Sequence, residues 1–334
     1  MPADYGDERK EYEAIRHGAA LIDFSPAAKL RLTGKNAIQF LNGLVSNDVK
    51  TLEPYQGVAA CFSNLQGKVA ALTVIYNTDK GLLIELDASN REKIFKNLSR
   101  FVPAGEFFLT DVTEELALLS LQGPQAAHVL SAASNTTIEY TETRTMRSFP
   151  IASVEIATRN RTGAAGFDLF VTTAQAAALR QTLIAHGAQP AGQTAFNSAR
   201  LEAGLPLEPA DVNESYIINE TNLTETVSYT KGCYLGQEVI ARIHWRGQPA
   251  KQLKGLLLES AETDLAGAEL WANDPQSILK KVGEVTSHAH SFALDHEIGF
   301  GYVHRHFLNE GTEFTLQRDA QTIGKATLAA TPFI

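Results

Sequence analysis

A chain of 334 residues is long enough for about two or three domains, since single hydrophobic cores usually stop growing near roughly 250 residues. Hydrophobic residues make up 44% of the chain and charged residues 20%, which excludes a disordered, collagen-like or coiled-coil protein. The formal net charge of −9 excludes a surface that is basic throughout. We therefore expect no direct nucleic-acid partner. The net charge does not exclude a local basic patch.

The cysteines Cys61 and Cys233 are too few for a disulfide framework, and neither lies in a C-x-x-C pair. The first residues are charged and lack the apolar stretch of a signal peptide. No apolar run approaches the roughly eighteen residues that span a bilayer. These features predict a cytoplasmic protein without a membrane partner.

Helix and strand signals alternate over residues 1–115, the first predicted domain. Charged, helix-favouring residues predict a helix over 7–17. Hydrophobic patterns predict a strand over 29–32, a helix with the apolar face Ile38, Leu41, Leu44 and Val45, strands over 58–62, 69–76 and 82–86, and a helix over 91–101. The turn 64–67 separates two of these strands, so we expect hairpins and not a regular βαβ order.

A second α+β unit is predicted over 116–249. Strands are expected at 116–121, 151–158 and 168–172, with helices after Pro124, over 174–187, and from a Thr194 cap to Gly204 and Pro206. From 250 to 334, short strands joined by turns replace the helical patterns. This change predicts a small C-terminal β-barrel domain.

The densest chemical signal is the segment 231–238, K-G-C-Y-L-G-Q-E. Its glycines permit a tight backbone path, and a short helix is predicted from Gly236 toward Arg242. A helix N-terminus and the nearby Lys231 both favour the thiolate form of Cys233, which makes it a candidate reactive thiol. The other interpretation, a small buried apolar cysteine, stays open. The segment contains no histidine that could act as a base for the thiol.

Histidines cluster late in the chain, at His288, His290, His296, His304 and His306. Residues two apart share one face of a strand, so an H-x-H pair can converge on a metal. No carboxylate or thiol lies at a matching spacing, and we therefore expect solvated strand faces and no metal site.

Two other segments place charged side chains next to turns. Asp168 follows the turn 163–166, and Arg200 and Glu202 lie at the end of a predicted helix. A carboxylate can accept two parallel hydrogen bonds from a heterocycle such as a pterin or guanine, and an arginine suits an acidic tail. An intramolecular ion pair explains the same residues, and spacing alone does not decide between the two.

Taken together, the motifs resemble the opening and the central segments of the glycine-cleavage T-protein (aminomethyltransferase) superfamily. The resemblance is carried, in chain order, by 17–25 (HGAALIDFS), 32–34 (LTG), 41–49 (LNGLVSNDV), 121–126 (LQGPQA), 162–168 (TGAAGFD) and 200–206 (RLEAGLP). It covers nearly the whole chain, and the shared order makes it more specific than any single segment.

Within that superfamily, the segment 231–238 followed by Arg242 is similar to the signature of the YgfZ branch, folate-binding proteins that support iron-sulfur enzymes. T-proteins lack this cysteine and carry paired aspartates soon after the turn that matches 64–67. This chain has Val69, Ala70, Ala71 and Leu72 there. An alanine cannot accept a proton, so we expect aminomethyl transfer to be absent or impaired. T-protein activity is the alternative prediction.

The resemblance implies an α+β fold of three domains in a ring around a central channel. Two domains would be related to ferredoxin-like folds and exchange chain, and the third would be the C-terminal β-barrel. The implied cofactor is tetrahydrofolate or a one-carbon derivative, with Asp168 and Glu202 as ring contacts and Arg200 as the cation that orients the ligand or binds its tail. Ala164 and Asp168 replace two usual glutamates, and Asp168 is shorter by one methylene group.

The resemblance further implies that the protein supports assembly, repair or maintenance of iron-sulfur clusters in client enzymes, including tRNA-modifying ones. Cys233 would be the reactive thiol and Lys231 would stabilise its thiolate. Gln237 and Glu238 would hold the loop, and Arg242 would orient Glu238 or meet an acidic partner; all three are also candidate cofactor contacts. The expected partners are folate, the client enzymes or cluster-assembly proteins. Covalent turnover stays open, and a turnover enzyme of this family would be a folate-dependent one-carbon transferase.

Overall fold

In the computed structural model, the described residues are 1–141, 144–149, 154–274 and 276–334. They form two β-sheets with helices, followed by a closed β-barrel. No helix in these ranges is both long and apolar enough to cross a bilayer.

A five-stranded antiparallel sheet with the strand order β3-β4-β5-β2-β6 contains most of the N-terminal residues. Its elements are β2 (Ala28–Thr33), α2 (Ala37–Asn42), β3 (Gly57–Ser63), β4 (Val69–Thr78), β5 (Gly81–Leu86), α3 (Arg91–Ser99) and β6 (Phe108–Asp111). One face packs on α2 and α3 through Leu41, Ile75 and Ile94. Burial of these aliphatic side chains is the main force that holds the layer together.

A six-stranded sheet with the order β11-β1-β7-β10-β9-β8 is the second layer. Its elements are β1 (Ala20–Asp23), β7 (Leu116–Gln122), α4 (Ala126–Ser134), β8 (Met146–Phe149), β9 (Val154–Thr158), β10 (Gly166–Thr172), α5 (Thr173–Ala185) and β11 (Gln189–Pro190). Strand β1 precedes the whole five-stranded sheet in sequence, yet Ala20 pairs with Gln122 of β7. Strand β1, which lies before residue 115 in the sequence, therefore belongs to the same sheet as the strands after residue 115.

The two sheets face each other across a shared apolar layer. Val74 and Tyr76 of β4 pack with Leu118 of β7 and Phe170 of β10, and the Tyr76 and Phe170 rings meet edge to face at 5.8 Å. Residues two apart in a strand point to the same side, so the face of β4 that carries Leu72, Val74 and Tyr76 is directed toward the second sheet. This orientation places β4 next to the central cavity described below.

Helix α1 (Glu8–His17) and helix α6 (Gln193–Glu202) pack together beside β1. Asp7 caps α1 by accepting a hydrogen bond from the Lys10 amide at 3.0 Å. Helix α6 begins after Gly192, and the predicted Thr194 cap is wrong because the chain enters the helix two residues earlier. Its end at Glu202 leads into Gly204, which has a positive φ of 74°.

The C-terminal strands close into a barrel with the order β12-β15-β14-β13-β16-β17. Helix α7 (Gln237–Arg246) precedes it, and the strands are β12 (Lys251–Ser260), β13 (Glu269–Asn273), β14 (Leu279–Ser291), β15 (His296–His304), β16 (Glu313–Arg318) and β17 (Gln321–Ala329). The predicted α+β class with a C-terminal barrel is confirmed.

Several predicted elements differ in extent. Helix α2 ends at Asn42, so Leu44 and Val45 lie beyond it, and the predicted helix over 91–101 stops at Ser99. Strand β9 begins at Val154; residues 151–153 of the predicted 151–158 strand lie outside the described ranges. Strands β1 and β6 were not predicted, since four residues are too few for a clear alternation.

Candidate functional site

A central cavity of about 220 Å³ lies where the two sheets meet the chain that follows α6. Its apolar wall includes Phe24, Leu72, Val74 and Phe196. Its polar lining consists of Thr73, Glu85, Asp87, Arg144, Arg159, Asn160, Arg161, Arg200, Glu208, Glu225 and Thr226. A second cavity of about 190 Å³ beside α7 has no carboxylate, lysine or arginine in its lining. The concentration of charge makes the central cavity the candidate ligand site.

Asp168 lies behind Arg161 and does not line the cavity. The Arg161 Nε donates to Asp168 Oδ1 at 2.9 Å, and its Nη2 donates to Asp168 Oδ2 at 2.6 Å and to Glu85 Oε1 at 2.5 Å. Ser120 Oγ donates to the same Asp168 carboxylate at 2.8 Å. Burial by itself would lower the pKa of Arg161, but the two carboxylates outweigh it and raise that pKa. The Asp168 carboxylate is fully buried and its acceptors are occupied within the chain.

Glu202 is likewise buried away from the cavity. Its carboxylate accepts hydrogen bonds from Tyr12 Oη at 2.7 Å, from Ser291 Oγ at 2.6 Å and from the Ala293 amide at 3.2 Å, and it forms an ion pair with Arg16. These contacts join α1, α6 and the end of β14. Asp168 and Glu202 are thus not free to make the expected contacts with a ligand ring, because ion pairs and hydrogen bonds inside the protein already use both carboxylates.

Arg200 does line the cavity, but it is paired. Its Nη1 donates to Asp211 Oδ2 at 2.8 Å, and Asp211 Oδ1 accepts from Thr286 and Ser287 of β14 at 2.6 Å each. Burial lowers the pKa of Arg200, and Asp211 opposes that shift. Arg200 therefore connects the cavity wall to the barrel through its ion pair with Asp211.

Glu208 is one of four cavity carboxylates that the sequence patterns missed, with Glu85, Asp87 and Glu225. It is 7% exposed, and both of its carboxylate oxygens lie within hydrogen-bond distance of the Leu72 amide, at 3.2 and 3.1 Å. No ion pair joins it to any described lysine or arginine. Burial raises the pKa of Glu208 to about 8 against the opposing Leu72 hydrogen bond. The only signal in the sequence is its place just after the R-L-E-A-G-L-P-L segment.

Two arginines of the cavity lack a carboxylate partner within the described ranges. Arg144 and Arg159 lie on neighbouring segments, because the Thr158 amide donates to the Thr145 carbonyl at 3.0 Å. Burial and the charge of Arg159 both lower the pKa of Arg144. Among described atoms, Arg159 Nη1 and Glu85 Oε2 are buried without a hydrogen-bond partner. Such orphaned atoms at a cavity wall are suited to a polar ligand.

Lys231 is buried and its ammonium is committed to another segment. Its Nζ donates to the carbonyls of Asn42, Val45 and Asn47 at 2.7, 2.9 and 2.6 Å. Burial lowers the pKa of Lys231 to about 8. Because these three carbonyls use all three ammonium donors, the structure gives Lys231 the role of fastening the 42–47 loop. Its expected action on the Cys233 thiolate stays a prediction.

Cys233 is exposed on the loop that leads to α7. The alternative prediction, that Cys233 is a small buried apolar residue, is therefore wrong. The loop is fixed at Gly236, whose φ is 82° and where a Cβ would lie 2.5 Å from the Asn64 carbonyl oxygen and 2.7 Å from Ser63 Oγ. Ser63 Oγ also donates to the Leu235 carbonyl at 2.5 Å. A glycine is required at 236 by both conformation and contact.

Gln237, Glu238 and Arg242 lie on α7, and the predicted short helix is confirmed. Glu238 and Arg242 are exposed, and none of the three residues lines the central cavity. Trp245 near the end of α7 is 68% exposed and touches the rings of Tyr229 and His244 edge to face. These side chains therefore belong to a surface next to the thiol loop.

The late histidines lie on barrel strands. His288 Nδ1 is 2.6 Å from Glu297 Oε1, and its Nε2 accepts from the Leu265 amide at 3.1 Å. The Glu297 carboxylate raises the pKa of His288. Within the described ranges, no group of three or more histidine, cysteine, aspartate or glutamate side chains is arranged to bind a metal.

Comparison with known proteins identifies the family to which this architecture belongs. Residues 1–231 match the model of the GCVT N-terminal domain, and residues 251–334 match that of the glycine cleavage T-protein C-terminal barrel domain. The chain belongs to the glycine-cleavage T-protein family. The matches cover both sheets and the barrel, so the family resemblance of the sequence motifs is confirmed at the level of the superfamily.

Relatives of the family match over the full chain. An aminomethyltransferase of Geobacillus kaustophilus is 30% identical over 348 residues, covering 100% of this chain and 92% of that protein. One of Halalkalibacterium halodurans is 28% identical over 343 residues, covering 100% and 91%. The crystal structure of the glycine cleavage system aminomethyltransferase T from Bartonella henselae superposes with a TM-score of 0.87 at 25% identity, covering 100% of this chain and 91% of that one.

Proposed function

We propose that this protein binds a tetrahydrofolate species in the central cavity and acts as a folate-binding accessory protein in iron-sulfur cluster assembly, repair or maintenance, with Cys233 as its reactive thiol. The family relation supports the folate part of the proposal. The iron-sulfur part, the client enzymes and the cytoplasmic location rest on the similarity of the 231–238 segment to the YgfZ signature.

The lining of the cavity fits a folate. The apolar side chains of Phe24, Leu72 and Val74 can cover the faces of a flat ring. Glu85 Oε2 and Arg159 Nη1 are buried polar atoms that lack a partner among the described residues. A pterin ring carries hydrogen-bond donors and acceptors, and the folate tail carries carboxylates, so both kinds of orphaned atom can be satisfied. When bound, the folate would supply or accept a one-carbon unit.

The aliphatic side chains of β4 are the observation that argues against aminomethyl transfer. Ala70, Ala71 and Leu72 stand where the family resemblance expects the paired aspartates, and Leu72 is the residue of the three that lines the cavity. An aliphatic wall offers no proton acceptor and no charge to stabilise a developing cation. Binding without aminomethyl turnover is therefore the expected behaviour at this position.

The thiol supplies the other part of the proposal. Cys233 is exposed, whereas Cys61 is buried in β3, where burial raises the pKa of its thiol. Thiol chemistry requires access and a thiolate. Of the two cysteines, Cys233 is accordingly the one that can react with a partner.

The second candidate is a tetrahydrofolate-dependent aminomethyltransferase or demethylase, and the names of the full-length relatives favour it. It predicts turnover of an aminomethyl or N-methyl donor with tetrahydrofolate. Incubating the full chain with each donor and measuring formation of methylene-tetrahydrofolate separates the two candidates. Sustained turnover would establish the transferase and overturn the accessory role.

The accessory role is tested by titrating the protein with tetrahydrofolate while Cys233 is labelled with iodoacetamide. Cys61 is the internal control, because burial should keep it unlabelled at all folate concentrations. We expect the Cys233 labelling rate to change with occupancy, and Cys233→Ala to fail to complement a strain that lacks its own family member. Full rescue by Cys233→Ala would refute the thiol role.

A further inference from the structure

Glu208 differs from the other buried acids near the cavity because it forms no ion pair with a lysine or arginine of the described residues. Asp168 is held by Arg161 and Glu202 by Arg16, each within an ion pair. Glu208 is 7% exposed and accepts hydrogen bonds from the Leu72 amide and from the Asn90 side chain. A carboxylate has about four acceptor positions, so about half of the hydrogen-bonding capacity of Glu208 is left for a ligand. A buried, unpaired carboxyl on a cavity wall is suited to a ligand with N–H donors.

The opposite charge lies farther along the same strand. Gly57 of β3 pairs with Tyr76 of β4, and the Gly57 amide donates to the Arg144 carbonyl at 2.7 Å. Leu72, which contacts Glu208, and Tyr76 are four residues apart on β4, a separation of roughly 13 Å at about 3.3 Å per residue. The cavity thus has an acidic position at Leu72 and a basic position, formed by Arg144 and Arg159, near Tyr76.

We propose that Glu208 binds the N–H edge of the pterin ring and that Arg144 and Arg159 bind the carboxylates of the folate tail, which sets the orientation of the ligand in the cavity. The inference rests on the proposed folate binding. The 2-amino group and the neighbouring ring N–H of a pterin donate in parallel, and a carboxylate accepts such a pair with two oxygens. A tail carboxylate finds in Arg144 and Arg159 two guanidinium groups with no ion pair among the described residues.

The geometry also accounts for the role of Asp168 and Glu202. Both carboxylates join segments that are distant in sequence, and their oxygens already accept hydrogen bonds from those segments. A ligand could reach either one only by breaking a buried ion pair. Glu208 can accept a ligand without such a loss, so it is the specificity-determining acid of the cavity.

Two probes and three variants of the full chain test this orientation by isothermal titration calorimetry. The probes are tetrahydrofolate and 6-methyltetrahydropterin, which lacks the tail. At about pH 9, where the Glu208 carboxyl is ionised, Glu208→Gln should weaken binding of both probes about tenfold or more, since the amide keeps the size but loses one of two parallel acceptors. Arg144→Gln and Arg159→Gln should each weaken tetrahydrofolate about tenfold and leave the tailless pterin within about twofold.

Glu310→Gln is the matched control, because Glu310 is exposed and lies outside the lining of the cavity, so this substitution should change neither dissociation constant. Thermal unfolding checks that each variant folds, and Glu208→Met replaces Glu208→Gln if the latter does not. If the parent binds neither probe, the proposed function fails. If the parent binds and Glu208→Gln binds equally well, this inference is wrong while folate binding stands. A loss restricted to tetrahydrofolate in Glu208→Gln would reverse the orientation.

Discussion

The buried carboxylates Asp168 and Glu208 lie close to the same cavity but differ in their hydrogen-bond and ion-pair partners. Asp168 accepts from Arg161 through two nitrogens and from Ser120, whereas Glu208 accepts from the Leu72 amide and the Asn90 side chain and forms no ion pair within the described residues. The first holds two segments together, and the second keeps acceptor positions free for a ligand. The difference teaches that a buried acid contributes to the fold or to ligand binding according to how much of its hydrogen-bonding capacity the chain itself uses.

The largest expected effect is on stability and belongs to Asp168. Asp168→Ala leaves the buried Arg161 with Glu85 as its one carboxylate partner among the described residues, and breaking a buried pair in this way costs about 3–5 kcal/mol. Urea unfolding of the parent and the variant at pH 7 measures the difference. A loss below about 1 kcal/mol would show that Asp168 is not the structural acid of this comparison.

The next effect is a pH dependence that belongs to Glu208. Its pKa in the folded protein is about 8, above the ordinary glutamate value, so between about pH 4.5 and 8 the folded state binds more protons than the unfolded state. Stability should therefore fall as pH rises through that window, by on the order of 3 kcal/mol from this group. Asp87 raises this pKa and Lys93 lowers it.

Glu208→Gln should remove that contribution, so its free energy of unfolding should change less with pH than that of the parent. The measurement is urea unfolding at pH 5, 6, 7 and 8, with Glu310→Gln outside the cavity as the control. Parallel pH profiles of the parent and Glu208→Gln would contradict the assignment.

Lys231 should have an intermediate effect. Lys231→Met keeps the length of the side chain but removes the donor from the carbonyls of Asn42, Val45 and Asn47, and we expect a loss of about 2 kcal/mol. Hydrogen exchange should show faster exchange in residues 42–47 before the barrel is affected. Unchanged exchange in that loop would show that the lysine does not fasten it.

The smallest effect on stability is expected at Cys233. Its side chain is exposed, so Cys233→Ala should change the free energy of unfolding by no more than about 0.5 kcal/mol while abolishing complementation. Thermal unfolding and complementation of the same variant provide the two readouts. A marked loss of stability would indicate a structural cysteine.

Local patterns predicted much of the fold. The charged, helix-favouring residues of 7–17 indicated α1, and strand patterns indicated β3, β4 and β5 within two residues of their observed ends. Strand β1 was missed because a four-residue strand has little periodicity and its partner Leu121 lies 100 residues away in sequence. The site was predicted less well for the same reason, since Asp168 and Arg200 meet partners that spacing does not show.

The sequence by itself determined the family, the α+β class with its barrel, and the K-G-C-Y-L-G-Q-E segment with its cysteine, because each of these is written in local order and composition. Only the tertiary structure decided which charged groups are left for a ligand. Whether a carboxylate is already paired within the protein or can bind a ligand depends on contacts such as Arg16 with Glu202 or Asp211 with Ser287. These contacts join residues far apart in the chain. Such pairing is a property of packing, and no local pattern of residues encodes it.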